Sequence, residues 1–395
     1  MAVLTGAAIF DGEALLHDHA LVLDGDRVAA LIPASEAPSG TRHLPGGVIA
    51  PGFVDLQVNG GAGLMVGAGS DAGQLATICA AQAASGTLAC LPTLNTDTPQ
   101  TTARVIAAGI EATRRATPGF LGLHLEGPHL DPARAGAHDP ALIRPMGAED
   151  LARLCAAAHA LPALMITLAP EAAMPEQIAA LAGAGAVISL GHSDCSFESA
   201  QAAIRAGARA ATHLFNAMSP LGHRAPGLAG AVLAGGIHAG LIADGLHVHP
   251  ATLRVALAAR PEGLFLVSDA MAFAGTDATE MRLQGRLIRR EGGRLTLPDG
   301  TLAGADLTLA RAVALLVRDL GIPPARALAM ATSIPAGLIG APAGRIAPGR
   351  AADLVWLRPD WSVGAVWQGG QPLPEPAEDG TRRAGALIRR ADAPP

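Results

Sequence analysis

The sequence predicts an α/β protein, a (β/α)8 TIM barrel with a small β-sandwich domain formed by both chain ends. Eight short apolar segments alternate with alanine-rich helical segments through the middle of the 395-residue chain, and eight parallel strands close such a barrel. Both ends instead show the alternating patterns and turn signals of short strands. Hydrophobic residues make up 50% of the chain, which is enough for one large core and an accessory domain.

The small domain is expected at the two chain ends, over residues 1–47 and 345–395. The N-terminal segment alternates apolar and polar residues around Asp24-Gly25, a pair that favours a hairpin turn. The C-terminal segment repeats this kind of pattern after a long and different middle part. We therefore expect both ends to build one β domain beside a barrel domain of residues 48–344.

The barrel strands are expected where apolar runs of strand length end in polar residues. These runs cover residues 48–58, 87–94, 119–126, 163–169, 186–191, 208–214, 238–243 and 263–268. Residues 276–305 follow the eighth run and contain the turn pairs Gly292-Gly293 and Asp299-Gly300. We expect them to form an inserted hairpin that could cover the mouth of the barrel.

Composition excludes several classes of function. The formal net charge of -6 and the absence of a basic cluster argue against a nucleic-acid-binding protein. All basic side chains are arginine, so no lysine can bridge two metals or form a Schiff base. The four cysteines are scattered and the N-terminus has no signal-peptide pattern, which predicts a cytoplasmic protein. The longest uncharged stretch, residues 72–96, contains glutamines and a proline, so no membrane span is expected.

Polar residues recur at the carboxyl ends of the predicted strands, where packing alone does not explain them. In a barrel these ends converge on one face, which carries the catalytic site. The residues concerned are His124 and Glu126 after strand three, His192 after strand five, His213 after strand six, Asp244 and His247 after strand seven, and Asp269 after strand eight.

One Glu and two His side chains are the ligands expected of a catalytic metal site with an open position. We assign this role to Glu126, His192 and His213, and expect one divalent ion per chain, zinc above iron, cobalt or manganese. The ion would activate a water molecule, and Asp269 would take its proton and pass it to a leaving nitrogen. His124 shares the strand face of Glu126, and is expected either to support the ligands or to be structural.

The end of the first strand carries neutral amides. Many metal hydrolases with this barrel have His-x-His there and hold a second metal. Here the two positions are Gln57 and Asn59, and amides are poor zinc ligands beside imidazole or carboxylate. A single metal is therefore expected, with both amides either contacting it through water or supporting its ligands.

The ordered set of motifs resembles the N-acetylglucosamine-6-phosphate deacetylases of the amidohydrolase superfamily, over essentially the whole chain. The motifs are Pro51–Gly61, His124–Pro128, Gly191–Ser193, Thr212–Met218, Pro226–Gly230, Ala243–His247, Ser268–Met271 and the run that begins at Gly344. The resemblance implies hydrolysis of N-acetylglucosamine 6-phosphate to glucosamine 6-phosphate and acetate. It also implies the metal and acid–base roles given above.

The resemblance further implies which residues contact the substrate. His138 would lie near the acetyl carbonyl, and the backbone of Asn216 and Ala217 near the phosphate end of the sugar. Arg224 and His247 would hold the phosphate, for which the arginine fork is suited. One phosphate-binding group can come from a partner subunit in this family, so a homodimer is implied. Ala225 stands where the family often has Glu, which leaves the shape of the phosphate loop open.

Two other interpretations remain. An amidohydrolase acting on an N-acyl amino acid or a cyclic amide would need no phosphate and no role for Arg224. A catalytically inactive barrel used for binding would have lost at least one of the four chemical residues named above, and none is lost.

Overall fold

The computed structural model describes residues 1–283 and 285–374, so residues 375–395 of the C-terminal segment lie outside the described residues. The predicted barrel is confirmed. Eight parallel strands pair in chain order within one sheet. They are Phe53–Val58, Thr87–Asn95, Leu123–Glu126, Leu164–Leu168, Val187–Leu190, Ala210–Ala211, His238–Leu241 and Leu264–Leu266.

The barrel closes between its first and eighth strands just beyond the last residues of the ladder. Val58 and Ala270 form a parallel bridge, and the N–H of Asn59 donates to the carbonyl of Ala270 over 2.8 Å. This contact brings the ends of both strands together, so the residues that follow them lie side by side at the barrel mouth.

Helices fill the segments between the strands, and many begin at a side chain that caps the first turn. Asp71, Thr98 and Ser196 each accept the backbone N–H three residues further on, which satisfies a donor that the helix leaves free. No helix in the described ranges is both long and apolar enough to span a bilayer. The helices are Ala72–Ala83, Pro99–Arg114, Ala148–Ala160, Pro175–Gly183, Phe197–Arg205, Gly227–Leu233, Pro250–Ala259, Leu309–Ala314, Pro324–Ala331 and Ser333–Leu338.

The first predicted strand, residues 48–58, is wrong in one respect, because the structure divides it into two strands in different sheets. Val48–Pro51 pairs with strands from both chain ends, and Phe53–Val58 begins the barrel. Gly52 lies between them, and a Cβ there would come within 2.6 Å of the Leu88 side chain. The chain passes from one sheet to the other at a position where only glycine fits.

The small domain is the expected β-sandwich of two sheets. One contains Ala2–Thr5, His19–Asp24, Arg27–Pro33 and Arg42–His43, and the other contains Ala8–Phe10, Leu15–Leu16, Val48–Pro51, Leu354–Leu357, Val363–Gln368 and Gln371–Pro372. Residues from both sheets, among them Leu21, Ile49 and Trp367, are buried in one apolar cluster. Both described chain ends therefore contribute to one core.

The insertion after strand eight is larger than the hairpin that the sequence predicted. It is a four-stranded antiparallel sheet, with an additional turn that includes Gly285 at a φ of 78°. Its apolar side packs on Phe273, and the N–H of Ala305 donates to the carbonyl of Asp269 over 2.9 Å. The sheet therefore contacts the segment that follows strand eight at the barrel mouth. Its strands are Glu280–Leu283, Arg286–Glu291, Arg294–Thr296 and Leu302–Ala305.

Candidate metal centre and active site

Glu126, His192 and His213 form one buried cluster at the carboxyl ends of the third, fifth and sixth strands. Their ligand atoms all lie within 4.8 Å of one another. Oε1 of Glu126 lies 3.2 Å from Nε2 of His192 and 3.1 Å from Nε2 of His213, and the two Nε2 atoms are 3.1 Å apart. Three side chains separated by up to 87 positions thus direct their donor atoms at one point.

The hydrogen bonds around the two imidazoles fit a metal ion. Nδ1 of His192 lies 2.9 Å from the carbonyl oxygen of Arg134. A carbonyl only accepts, so this nitrogen carries the proton, and in the neutral ring Nε2 presents its lone pair to the cluster. Nε2 of His213 also lies beside Oε1 of Glu126 and Nε2 of His192. Its buried Nδ1 has no hydrogen-bond partner among the described residues. A carboxylate and two imidazole nitrogens at one point could hold a divalent ion.

Electrostatics inside the cluster follow from burial and mutual contact. Burial favours the neutral form of Glu126, but hydrogen bonds from His192 and His213 outweigh it and hold the pKa of Glu126 well below its usual range. Burial likewise lowers the pKa of His213, but the hydrogen bond and charge of Glu126 outweigh this effect and raise that pKa overall. The carboxylate is therefore ionised at neutral pH.

Backbone strain is concentrated at the same residues. His192, His213 and Asp269 have φ values of 48°, 31° and 50°, in the left-handed region that residues other than glycine rarely adopt. Each such residue costs on the order of 1–3 kcal/mol, and such residues cluster at active sites. The strain is thus an observation, independent of the side-chain contacts, that marks these strand ends as a functional site.

Asp269 is held beside the cluster by the two amides of the first strand. Nε2 of Gln57 donates to Oδ1 of Asp269 over 3.1 Å and also to Oε1 of Glu126 over 3.1 Å. Nδ2 of Asn59 donates to the same Oδ1 over 2.6 Å. Burial, followed by the charge of Glu126, raises the pKa of Asp269 to about 6. The amides thus orient one carboxylate oxygen while the group remains able to exchange a proton near neutral pH.

Asp55 also supports this region, a role that the sequence interpretation missed. Both of its carboxylate oxygens accept the N–H of Ser268, over 3.2 and 3.1 Å, just before Asp269. Burial raises the pKa of Asp55 to about 7. The available signal was the two-residue period that places Asp55 on the same strand face as Gln57.

His138 lies against the cluster with the opposite proton arrangement to His192. Its Nδ1 accepts the backbone N–H of Thr96 over 3.2 Å and lies 2.8 Å from the Thr96 hydroxyl. A backbone N–H only donates, so the proton of the neutral ring is on Nε2, which lies 3.9 Å from Oε2 of Glu126. Burial, then the charge of His192, lowers the pKa of His138 to about 3. Thr96 was missed in the sequence, although it directly follows the second strand.

His124 is placed inside the barrel and not among the groups that meet at the cluster point. Its Nε2 lies 2.7 Å from the hydroxyl of Thr167, which lies 2.6 Å from the hydroxyl of Thr212. Burial lowers the pKa of His124 to about 4. Its contacts are those of a neutral, hydrogen-bonded core residue beneath the ligands.

The remaining predicted substrate residues lie on two loops, the one after strand six and the one after strand seven. The N–H of Asn216 donates to the carbonyl of His213 over 2.9 Å, and the carbonyl of Ala217 accepts from Ser193 over 3.2 Å, so these two groups serve the turn itself. His247 lies on the loop after strand seven, where its Nδ1 is 2.6 Å from Oδ2 of Asp244, and its charge contributes to lowering the pKa of Asp269. Arg224 is exposed, and among the described contacts its guanidinium meets His223 over 2.8 Å and none of the cluster residues.

Comparison with known proteins agrees with this fold and this site. The model of the amidohydrolase family matches residues 48–373, and that of the NagA composite domain matches residues 1–46. The chain therefore belongs to the amidohydrolase family. Its family and its relatives indicate an enzyme that hydrolyses an amide. The cluster of Glu126, His192 and His213 could bind a divalent metal.

The similar proteins are named for a more specific reaction, the deacetylation of an amino-sugar phosphate. The chain is 42% identical, over 84% of both proteins, to the N-acetylgalactosamine-6-phosphate deacetylase of Shewanella sp. (strain ANA-3). It is 31% identical, over 91% of this chain and 96% of the other, to the N-acetylglucosamine-6-phosphate deacetylase of Haemophilus influenzae. The crystal structure of N-acetylglucosamine-6-phosphate deacetylase from Pasteurella multocida has a TM-score of 0.90 and 33% identity, covering 95% of this chain and 100% of that one. The resemblance to this group is confirmed.

Proposed function

We propose that the protein hydrolyses the acetamide of N-acetylglucosamine 6-phosphate, giving glucosamine 6-phosphate and acetate. The observation that carries this proposal is the position of Asp269, held at Oδ1 by Gln57 and Asn59 beside the Glu126 cluster. A carboxylate fixed next to a metal-binding cluster, with its pKa raised, is what amide hydrolysis needs for transfer of a proton from water to nitrogen. Relatives that carry the name of this activity support the choice of reaction.

Three groups of the chain divide the chemistry between them. One divalent ion, which we propose to be zinc, would be held by Glu126, His192 and His213, where it would supply a Lewis acid that polarises a carbonyl and lowers the pKa of water. Since both amides meet Oδ1 of Asp269, we assign proton transfer to its Oδ2. His138 would donate its Nε2 proton to the acetyl oxygen, because Thr96 keeps Nδ1 as an acceptor.

The phosphate end of the substrate is assigned to Arg224 and His247, with the turn at Asn216 and Ala217 beside it. Arginine and imidazole can both donate charge-assisted hydrogen bonds to phosphate oxygens. Because Arg224 is exposed on its loop, we propose a homodimer in which this loop reaches the site of the other subunit. The setting we propose is the cytoplasm, which suits the four free cysteines.

A second candidate substrate is the 4-epimer, N-acetylgalactosamine 6-phosphate. The relative of that name shares 42% identity with the chain, whereas the relative named for the gluco sugar shares 31%. Both sugars present the same acetamide and phosphate, so the cluster and Asp269 would act identically on them. An N-acyl amino acid or cyclic amide is less favoured, because no relative cited above is named for such a substrate.

The test is acetate release from both N-acetylhexosamine 6-phosphates and from unphosphorylated N-acetylglucosamine, with and without added zinc after chelation. We expect activity that requires both phosphate and metal, and the ratio of kcat/KM for the two epimers identifies the substrate. Equal rates with and without phosphate would overturn the phosphate assignment. Inactivity on all three sugars, together with hydrolysis of N-acyl amino acids, would move the protein to the other substrate class.

A further inference from the structure

Asp244 and His247 form a buried pair on the loop after strand seven. Oδ2 of Asp244 lies 2.6 Å from Nδ1 of His247, and the two side chains are 4% and 8% exposed. The other oxygen, Oδ1, accepts the N–H groups of Leu246 and His247, each over 2.8 Å. All of these contacts lie within four residues, so one carboxylate fixes both the loop and the ring.

The carboxylate is ionised in this environment. Burial raises the pKa of Asp244, but the hydrogen bond and charge of His247 and the two backbone N–H groups lower it below its usual value overall. An ionised carboxylate has no proton to donate, so Nδ1 of His247 must carry one. The other ring nitrogen, Nε2, can then donate a hydrogen bond only when the ring is protonated at both nitrogens.

The charged groups around the pair are few and identifiable. The charge of His247 contributes to lowering the pKa of Asp269, which follows the eighth strand. Arg311, Arg318 and Asp319, on the segment after Leu307, line a cavity together with Asp244. Among these groups, Asp244 makes the hydrogen bond to the ring.

We propose that Asp244 is a positioning residue that turns His247 into a cationic hydrogen-bond donor toward the phosphate of the substrate. The proposal rests on the function proposed above, in which His247 meets that phosphate. Asp244 acts through the ring: it fixes the orientation, it holds the Nδ1 proton, and its charge favours a second proton at Nε2. Binding of an anion at Nε2 would then be strongest when the ring is protonated.

The substitution Asp244→Asn should change which nitrogen of His247 carries the proton. The two backbone N–H groups require an acceptor, so the asparagine oxygen would stay on their side and its NH2 group would face Nδ1 of His247. Nδ1 would have to accept, and the proton of the neutral ring would move to Nε2. The neutral ring of the variant would therefore keep a donor at Nε2, whereas the neutral ring of the natural protein has none there.

The experiment combines kinetics with NMR. KM for N-acetylglucosamine 6-phosphate would be measured from pH 7 to 9, where the phosphate is already a dianion. Because the neutral ring of Asp244→Asn keeps an Nε2 donor, we expect its KM to change less than about twofold over this range, from a higher starting value, and that of the natural protein to rise more steeply. Asp353→Asn, which changes a carboxylate that accepts a backbone N–H in the small domain, should behave as the natural protein. Equal pH slopes in Asp244→Asn and the natural protein would overturn the proposal.

The ¹⁵N spectrum of the histidine rings tests the same proposal without any substrate, so it stands apart from a failure of the deacetylase assignment. His247, assigned by comparison with His247→Gln, should keep its Nδ1 proton through pH 9, and in Asp244→Asn should show the Nε2 tautomer. A bare Nδ1 in the natural protein would refute the positioning role even if the variant does not fold. If the pattern is present but neither sugar phosphate is hydrolysed, only the proposed substrate is wrong.

Discussion

The cluster around Glu126 and the loop that carries Arg224 lie on the same face of the barrel but differ in how completely one chain organises them. In the cluster, ligand atoms from three strands meet within 4.8 Å and are buried. Around Arg224 the side chain is exposed and contacts its own neighbour His223. Both regions follow predicted strands. Within the described residues, the side chains of the first region meet at one point, whereas Arg224 in the second does not contact the other predicted site residues.

This difference shows which groups of the proposed reaction are already oriented by contacts within one chain. Donor atoms, the Asp269 carboxylate and the His138 donor are oriented by contacts within one barrel, which suits the step that breaks the amide. In the proposed function, recognition of the phosphate is assigned to a loop whose arginine is exposed. Changes in the cluster should therefore reduce catalysis itself, whereas changes in the loop should reduce substrate binding.

The largest effect is expected from His213→Ala, because it removes one ligand and leaves Glu126 and His192 facing a void. We expect loss of tight zinc binding and a decrease in kcat/KM on the order of 10⁴-fold, since the ion contributes several kcal/mol to the reaction. Metal content after dialysis and acetate release would be measured together. His159→Ala, at an exposed helical position, is the control. Full activity with unchanged zinc in His213→Ala would show that this cluster is not the metal centre.

Asp269→Asn should separate chemistry from metal binding within the same region. The amide keeps an oxygen for Gln57 and Asn59 to contact but cannot take a proton, so we expect a decrease in kcat of about 10³-fold. Zinc content should stay at the level of the natural protein, because the three ligands are unchanged. Calorimetric zinc titration beside the kinetic assay would check both parts. A variant that remains fully active would assign the base to another residue.

The sequence predicted the barrel and the cluster well because both follow from periodic features. Apolar runs ending in His, Glu or Asp mark the carboxyl ends of strands, and the barrel brings those ends together. What it could not predict depends on contacts between distant segments. Examples are the Arg134 carbonyl that orients His192, the Thr96 N–H that sets the proton of His138, and Gly52, where the chain changes sheet.

The inserted sheet shows a different limit. Two glycine-containing turns were visible in the sequence and predicted one hairpin, but four strands are present. Polar and apolar residues alternate in this segment without a strong apolar run, because one face of the sheet packs on Phe273 and its neighbours only. Weak amphipathic strands at an edge give little signal until their packing partner is known.

Arg224→Ala tests the second region, the loop that carries the exposed arginine. We expect KM for the sugar phosphate to rise by about 10- to 100-fold with zinc content unchanged, the loss of one charge-assisted contact. Arg114→Ala, which removes an ion pair on an exposed helix face, is the matched control. Unchanged KM in Arg224→Ala would remove this residue from the phosphate site.

Mixing two impaired variants tests whether Arg224 acts across a dimer. A subunit with Asp269→Asn supplies an intact Arg224, and a subunit with Arg224→Ala supplies an intact Asp269. If the arginine enters the partner's site, refolding or coexpressing both should restore about a quarter of the natural activity, since half of the dimers are mixed and each has one complete site. If the mixture is no more active than the average of its parts, the arginine acts within its own chain or not at all.

The smallest expected effect is the pH dependence of zinc affinity, which should arise from the cluster of Glu126, His192 and His213. Glu126 raises the pKa of His213, so this ring keeps its second proton to a higher pH than an ordinary histidine does, and a metal ion must displace that proton. Zinc affinity should therefore weaken as pH falls below that pKa, by about tenfold per pH unit for one displaced proton. The pKa of Glu126 is held well below its usual range, so the carboxylate adds no second proton between pH 6 and 8. Chelator competition at pH 6, 7 and 8 measures the slope, and in His213→Gln it should become shallower because the titrating ligand is gone. An equal slope in both proteins would mean that a group other than His213 holds the proton that zinc displaces.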